Sequence, residues 1–550
     1  MKETIHNILP AAKSAGFLIP LFSIKTDRSL GIGDIGDLYS LIDWAADHNQ
    51  TIIQLLPLND VKEGDPSPYA AVSLFAVNPI YIDIHDVDDV THSKAAQARL
   101  DKAVSSGELD LIRKAERVDY KKVRNLKMEL LHDGFNLFYC EEWEKGTKKA
   151  GEFSAFIEKE SYWLKDYALF TLLKENYDNK IWSRWPEKYA KRDHLAVTER
   201  ARANSKKILF FEWLQWVFTV QWRKMLAYAH NKGVYLMGDV AFYPAYDSVD
   251  VWSKPELFLM NDDLSLSATS GAPPDFFNAD GQNWGTPLYN WENMESEDFL
   301  WWQERIKRVC DFFDLYRLDH FRGFESFWSV PSGCKASEGS WVKAPSDKLL
   351  RRLIKVSLEE RFVIPIAEDL GDITPEVHSL RERLGIAGYK TFIFGWGEGE
   401  ASGIASGYRY PENYGRDFLA TTGTHDTPTL YSWWKNLRDD ERSALLEYLG
   451  LPDNSPFTDV KEAIFERIFN SRARFVIIPF QDIFEMGDEN RVNYPGTFGN
   501  HNWSWRMPLT VEDLMSSKNV SFERSSRYLK KITSLSARAV SGRIPETTTG

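Results

Sequence analysis

Three acidic residues stand where apolar segments of the chain come to an end. Asp319 lies in YRLDHFRGF (residues 316–324), Glu368 in IAEDLG and Asp426 in GTHDTPT. Burial of a carboxyl group is costly unless the group is paired or used in chemistry. A capped or salt-bridged strand end would explain any one of them, whereas three together point to one pocket. Cleavage of a glycosidic bond with retention requires an ionised carboxylate as nucleophile and a protonated carboxyl group as acid.

The neighbours of the three acids suggest which carboxyl group takes which part. Arg317 stands two residues before Asp319, on the same face of a strand, so its positive charge would hold Asp319 ionised as the nucleophile. The apolar residues before Glu368 predict burial, which raises the pKa of a carboxyl group and suits a general acid. Asp426, next to His425, is then free to bind the hydroxyl groups of a distorted sugar ring.

These acids need a scaffold in which the ends of several strands meet. Near-continuous apolar strands that alternate with helices indicate a parallel sheet, and eight such units favour a (β/α)8 TIM barrel, an α/β fold, over a doubly wound sheet. In such a barrel the chemistry lies at the C-terminal ends of the strands. The eight predicted strand segments are 17–24, 51–58, 234–244, the segment around YRLDHF, 363–371, 389–396, 419–427 and 491–497.

Residues 1–550 are predicted to form a single catalytic barrel with two long insertions. Residues 59–233 contain several helical patterns, and residues 245–300 are loop-like and rich in Pro, Gly and Asn. Both intervals are too long for a simple crossover, so we expect them to form subdomains around the active-site face. No all-β segment follows, so no C-terminal β-sandwich is expected.

Two features that resemble functional motifs are interpreted as structural. The segment GIGDIG has the spacing of a dinucleotide-binding fingerprint. However, KTDRSL separates it from the preceding strand, which is too long for the tight turn of that motif, and Asp34 and Asp37 would repel a phosphate. A glycine-rich turn with aspartate caps is the better interpretation. Asp369 alternates to the strand face opposite Glu368 and is also expected to be structural.

Composition narrows the classes of partner. The net charge of -13 is spread along the chain, which argues against nucleic acid, and no apolar stretch approaches the roughly 20 residues of a membrane span. Cys140, Cys310 and Cys334 are odd in number and far apart, which predicts a cytoplasmic protein without a disulfide framework. The histidines are scattered and no C-x-x-C pair occurs, so we expect no metal and no cofactor. The sequence does not give the oligomeric state.

With these features in place, the sequence resembles the 4-α-glucanotransferases, the amylomaltases or disproportionating enzymes of glycoside hydrolase family 77. The resemblance implies a retaining transfer of α-1,4-glucan segments from a donor maltooligosaccharide to the 4-OH of an acceptor glucan or glucose. It also implies a barrel like that of α-amylases. The matching segments run from LFSIKTDRSLGIGDIGDL to NHNWSWRMP and include SPYA, LFAVNPIYID, WLKDYALF, QWRKMLAYA, GDVAFYPAYDSVDVW, GAPPDFFNADGQNWGTPLYNW, RLDHFRGF, IAEDLG, GTHDTPT and RVNYPGT.

The resemblance implies roles for individual residues as well. Asp319 would form a covalent glucosyl-enzyme, Glu368 would be the acid/base, and Asp426 would stabilise the transition state. The residues implied to bind the substrate or to support the nucleophile are Tyr69, which would stack on the sugar next to the broken bond, Asp239 and Arg317 beside the nucleophile, Gln282 and Trp284 on the acceptor side, and the sugar-binding His425.

Three other functions fit parts of the sequence. In a hydrolase of the same mechanism, water instead of a sugar hydroxyl would resolve the intermediate. The apolar segment GAPPDFF (residues 271–277) favours a sugar acceptor because it would exclude water. A glucan-binding barrel without activity would tolerate the loss of a carboxylate, and none is lost. A nucleotide-dependent enzyme rests on GIGDIG alone.

Overall fold

The structure, a computed structural model, describes residues 13–274, 280–371, 373–397, 407–516 and 519–538. Its strands fall into one parallel sheet and one small antiparallel sheet. In chain order the strands are β1 Ser14–Leu18, β2 Ile52–Gln54, β3 Tyr235–Val240, β4 Ala268–Ala272, β5 Gln282–Pro287, β6 Leu315–Leu318, β7 Ser326–Pro331, β8 Ser340–Lys343, β9 Ile364–Ala367, β10 Gly388–Thr391, β11 Phe418–Thr421 and β12 Phe475–Pro479.

The parallel sheet closes into an eight-stranded barrel. Its order is β10-β11-β12-β1-β2-β3-β6-β9, and a parallel bridge between Ile366 and Ala387 links β9 to the segment that leads into β10. Apolar residues buried on both faces form these strands, as in Ile364–Ala367 and Phe475–Pro479, each of which is buried throughout. The closed ring removes both sheet edges and brings the C-terminal ends of the eight strands to one face. The predicted (β/α)8 barrel is confirmed.

The predicted strand segments overlap the barrel strands in seven cases, although their boundaries are broader than the observed strands. The eighth prediction is wrong, because residues 491–497 form a loop and the eighth barrel strand is Phe475–Pro479. The loop contains Pro495 and Gly496, which suit a turn, and Val492 is the only large aliphatic residue in it. The segment FVIIP is a continuous apolar run between two helices, which is what a buried parallel strand requires.

Helices surround the barrel and fill most of the long interval between β2 and β3. The longest, Ser205–Asn231, buries Trp213 and Trp222 and runs up to β3. The α-helices are Ile35–Asp47, Asp88–Thr91, Lys94–Ser105, Glu108–Lys114, Tyr120–Phe138, Lys148–Lys159, Leu164–Asn176, Glu187–Ala190, His194–Ala203, Ser205–Asn231, Val249–Ser253, Trp291–Ser296, Leu300–Cys310, Ser346–Glu360, Pro375–Leu384, Leu430–Asn436, Asp439–Leu449, Phe457–Asn470, Phe480–Ile483, Val511–Met515 and Val520–Leu535.

The small antiparallel sheet has the order β5-β4-β7-β8. The loop-like interpretation of residues 245–300 is therefore wrong for β4 and β5. These two strands are rich in Ser, Thr and Gly and lack apolar alternation, so the signal for a strand is weak. Backbone pairing with β7, in the register Thr269 with Val330 and Gly271 with Trp328, fixes β4 in place.

The glycine-rich turn before the first helix is a cap, as predicted. The Asp34 carboxylate accepts a hydrogen bond from the backbone N–H of Gly36 (2.9 Å), and Asp37 accepts one from the N–H of Asp34 (2.9 Å). The Lys127 ammonium lies 2.7 Å from Asp34 in a buried ion pair. The acidic groups therefore stabilise the start of helix Ile35–Asp47.

The three cysteines are free thiols, and Cys310 is buried while Cys140 and Cys334 are exposed. None of the helices in the described ranges combines the length and the apolar character that a membrane span requires.

Candidate active site

Asp319 and Glu368 follow neighbouring barrel strands at equivalent positions. Leu318 of β6 pairs with Ala367 of β9, so the next residue of each strand is an acid. The backbone N–H of Glu368 donates to the carbonyl of Leu318 (3.0 Å), and the N–H of Phe321 donates to the carbonyl of Glu368 (3.1 Å). The strand register thus fixes the two carboxyl groups side by side at the C-terminal face of the barrel.

Arg317 is the centre of the charge network. Its Nη1 donates to Oδ1 of Asp319 (2.7 Å) and to both carboxylate oxygens of Asp239 (3.0 and 2.9 Å). Its Nη2 lies 3.8 Å from Oε2 of Glu368. Asp239 and Arg317 are paired in register on β3 and β6, and both are buried. Burial alone would lower the pKa of Arg317, but the facing carboxylates of Asp239 and Asp319 outweigh burial and raise that pKa. The guanidinium therefore stays charged and orients Asp319.

Glu368 is held in a setting that favours its protonated form. Its carboxyl group accepts hydrogen bonds from the backbone N–H of His320 (2.9 Å) and of Leu370 (3.2 Å). Burial raises the pKa of Glu368 to about 8, with the charge of Asp319 acting in the same direction and with Arg317 and the hydrogen bond from His320 acting against it. A carboxyl group that keeps its proton at neutral pH can donate it to a leaving group.

Asp426 has the opposite character. It belongs to the loop after β11, and its Oδ1 accepts a hydrogen bond of 2.6 Å from the amide of Asn493 while its Oδ2 lies 3.2 Å from Nε2 of His425. Burial acts to raise its pKa, but His425 and Asn493 outweigh burial and hold the pKa of Asp426 well below its usual range. The carboxylate is 42% exposed to the cleft, so it offers a fixed negative charge to a ligand.

Tyr69 connects the helical insertion to the barrel. Its hydroxyl donates to Asp239 (2.8 Å) and lies 3.1 Å from Nε2 of His425, and the two rings are stacked with centroids 5.5 Å apart. Because the hydroxyl proton goes to Asp239 and the Asp426 carboxylate can only accept, Nε2 of His425 must be the donor in this cluster. Tyr69, His425, Asp239 and Asp426 therefore form one hydrogen-bonded group.

A cleft of about 670 Å³ opens beside these groups. Its polar lining includes Arg317, Glu368 and Asp426, and Gln282 of β5 contributes from the small sheet. Most of its apolar wall is formed by Leu370, Ile393, Phe394, Trp396, Trp433, Leu437 and Pro495. Apolar walls with a few convergent polar groups are typical of a ligand site. Part of the predicted wall GAPPDFF, residues 275–277, lies outside the described residues.

His320 links the small sheet to the acid Glu368. Its φ of 48° is in the left-handed region, and this conformation accompanies the hydrogen bond from its N–H to Glu368. Its ring meets Trp284 edge to face at 5.0 Å, and burial lowers the pKa of His320 to about 4, so the ring is neutral. Trp284 itself is 39% exposed, and its indole N–H donates to Gln282 (3.1 Å).

The structure brings the predicted site residues together. One network contains Asp319, Glu368, Asp426, Tyr69, Asp239, Arg317 and His425, while Gln282 lines the adjoining cleft and Trp284 reaches the network through His320. Sequence reasoning missed two contributors, His320 and Asn493. His320 is adjacent to Asp319, and Asn493 lies in RVNYPGT, a segment whose pattern predicts a strand but which forms a loop.

Asp369 has a structural role, as the alternation of the strand predicted. Its carboxylate lies 2.9 Å from Nε of the buried Arg381 and accepts a hydrogen bond from the backbone N–H of Tyr389 (2.7 Å). It therefore ties β9 to β10 and to the helix Pro375–Leu384.

The chain is similar to characterised proteins over almost its whole length. A family model described as 4-alpha-glucanotransferase matches residues 19–510. A 4-alpha-glucanotransferase of Aquifex aeolicus is 36% identical over 530 residues, which cover 96% of this chain and 99% of that protein. One of Thermus thermophilus is 37% identical over 460 residues, 82% of this chain and 87% of that protein. The solved structure of amylomaltase from Streptococcus agalactiae in complex with acarbose is 30% identical, covers 96% of this chain and 99% of that chain, and superposes with a TM-score of 0.82.

Proposed function

Since the chain belongs to the 4-alpha-glucanotransferase family, glycoside hydrolase family 77, we propose that Asp319, Glu368 and Asp426 carry out its reaction. The enzyme transfers α-1,4-glucan segments from one glucan to another with retention. Asp319 is assigned as the nucleophile, Glu368 as the general acid and base, and Asp426 as the group that stabilises the transition state. The observation that carries this assignment is that Arg317 contacts Asp319 at 2.7 Å while burial raises the pKa of the neighbouring Glu368 to about 8.

The first half of the reaction forms a covalent glucosyl-enzyme. The Asp319 carboxylate attacks the anomeric carbon while Glu368 transfers its proton to the oxygen of the departing sugar, and the glycosidic bond breaks. Positive charge develops on the sugar ring in the transition state. The ionised Asp426, held by Asn493 and His425, stabilises that charge.

The second half uses the change in charge that the first half creates. Once Asp319 is esterified, its negative charge is gone and it no longer raises the pKa of Glu368. Arg317, 3.8 Å from Glu368, then favours the ionised form. Glu368 can therefore take the proton from the 4-OH of the acceptor, whose oxygen attacks the anomeric carbon and releases Asp319.

We propose maltooligosaccharides as donors and maltooligosaccharides or glucose as acceptors. The apolar wall of the cleft supports a sugar acceptor over water, because the C–H faces of a pyranose match half-buried aromatic side chains such as Phe394 and Trp433. Gln282 and Trp284 are assigned to the acceptor side, and Tyr69 to the sugar next to the bond that is broken.

We also propose that residues 59–233 and 245–300 form subdomains around the active-site face of a single catalytic barrel. In support, Tyr69 of the first interval bonds to Asp239, and Gln282 of the second lines the cleft. A cytoplasmic location is proposed as well, because free thiols are typical of reducing compartments.

The experiment that tests the function is to incubate the purified protein with maltotriose and to resolve the products by chain length over time. Transfer predicts a ladder of longer maltodextrins together with released glucose. Glucose and maltose without longer chains would mean that water resolves the intermediate. An unchanged substrate would refute maltotriose as a donor.

A further inference from the structure

The loop after Asn493 presents an aromatic ring that the barrel does not bury. Phe498 is 99% exposed, which is the highest value among the large apolar side chains of the described residues; Val520 follows with 80%. Single exposed apolar residues are common and need no explanation by themselves. Phe498 differs because of where its loop lies and because of how firmly that loop is held.

The loop is part of the wall of the active site. Asn493 donates the 2.6 Å hydrogen bond to the Asp426 carboxylate, and Pro495 lines the cleft. Phe498 follows three residues later and is not part of the cleft wall. The ring is therefore carried by the same loop that contacts the reacting groups.

Hydrogen bonds hold the backbone of the loop at Tyr494 and Thr497. The N–H of Thr497 donates to the carbonyl of Tyr494 (3.2 Å), and Gly496 has φ of +74° after Pro495, which is the pattern of a type II turn. Asn502, which is buried, donates from its amide to the carbonyl of Thr497 (3.0 Å) and accepts from the N–H of Tyr494 (2.8 Å). A held loop loses little conformational entropy when its tip binds a partner.

We propose that Phe498 is a binding platform for glucose units of an α-glucan that extends beyond the cleft, and that it thereby sets the preference for chain length. The proposal rests on the proposed function, because that function places a glucan in the cleft. A flat ring offers the hydrophobic surface that the C–H face of a pyranose needs, and binding there would remove from water a ring that the folded protein leaves exposed.

The test measures binding to a protein that does not turn over its ligand. Maltoheptaose and maltotriose are titrated by calorimetry into Asp319→Asn, with and without Phe498→Ala. We expect Phe498→Ala to raise the Kd for maltoheptaose by roughly threefold to tenfold, the size of an aromatic contact, and the Kd for maltotriose by less. Phe498→Tyr keeps the ring and should restore binding. Leu195→Ala removes another exposed apolar side chain, 65% exposed in helix His194–Ala203, and should leave both Kd values unchanged.

For Phe498→Ala, either an unchanged Kd for maltoheptaose or an equal rise in Kd for the two sugars would overturn the proposal. Loss of binding in Phe498→Tyr as large as in Phe498→Ala would also contradict a role for the ring. The thermal midpoint should not change in Phe498→Ala, since the side chain is fully exposed. Failure of the proposed function would give a different result from failure of the Phe498 proposal. In that case Asp319→Asn would turn over maltoheptaose, or would fail to bind it even with Phe498 present.

Discussion

Replacement of Glu368 by Gln should slow the reaction far more with a sugar leaving group than with fluoride. Glutamine cannot donate the acid proton, and a departing sugar oxygen needs that proton while fluoride leaves without it. The two donors, maltotriose and α-maltosyl fluoride, therefore separate the loss of the acid from damage to the site. The backbone N–H groups of His320 and Leu370 bond to different oxygens of Glu368, so the amide oxygen of Gln can still accept the hydrogen bond from one of them.

The raised pKa of Glu368 keeps the acid proton in place at neutral pH. With a pKa of about 8, roughly 90% of the enzyme carries the acid proton at pH 7, whereas an ordinary glutamate would carry it in about 0.3% of molecules. General acid catalysis contributes about 100-fold to 10,000-fold to the rate. We expect kcat/KM for maltotriose to fall by that factor in Glu368→Gln. The burst of fluoride release, which reports the first step alone, should fall by less than about tenfold.

The pH dependence follows from the same pKa. The free enzyme must hold Glu368 protonated, so kcat/KM for maltotriose should be nearly constant up to about pH 7 and should fall as the pH rises through about 8. The fall should be absent with the fluoride donor. Glu212→Gln is the matched control, because burial raises the pKa of Glu212 to about 7 in helix Ser205–Asn231, yet Glu212 belongs to neither the charge network nor the cleft wall. Equal losses with the two donors in Glu368→Gln, or the same alkaline fall with fluoride, would refute the acid role.

Three further predictions concern other parts of the molecule. Asp319→Asn should keep the fold, as judged by circular dichroism, and should lose nearly all turnover of maltotriose; substantial residual turnover would contradict its role as nucleophile. Asn493→Ala removes the 2.6 Å hydrogen bond to Asp426, worth about 1.5 to 3 kcal/mol, so kcat/KM should fall roughly tenfold to a hundredfold, and an unchanged value would exclude the contact from catalysis. Glu212 has a folded pKa of about 7, above its unfolded value, so its protonated form stabilises the fold at low pH and that contribution is lost as the pH rises through 7. We therefore compare the free energy of unfolding in urea of Glu212→Gln with that of the parent. The difference, variant minus parent, should be roughly 2 to 3 kcal/mol larger at pH 8 than at pH 5. An equal difference at the two pH values would contradict the raised pKa.

The sequence determined the features that depend on short-range pattern. Apolar runs that end in Asp319 and Glu368 indicated parallel strands with acids at their C-terminal ends, because a strand buried on both faces is apolar throughout. The two-residue spacing of Arg317 and Asp319 predicted that the side chains share a face, and they do at 2.7 Å. The caps at Asp34 and Asp37 could be read locally, since a capping hydrogen bond spans only three residues.

The tertiary structure decided what depends on pairing between distant segments. Tyr69 bonds to Asp239, 170 residues away, and lies against His425, 356 residues away, and no local periodicity encodes such contacts. The strands β4 and β5 lack a strong local strand pattern and are fixed by their pairing partners, whereas residues 491–497, predicted as a strand, form a loop. The pKa of Glu368 likewise depends on burial and on Asp319 and Arg317, whose positions the strand register fixes. The sequence supplies the side chains. The folded barrel decides which of them lie within a few ångströms of one another, and those contacts determine the electrostatics and the hydrogen bonds of the site.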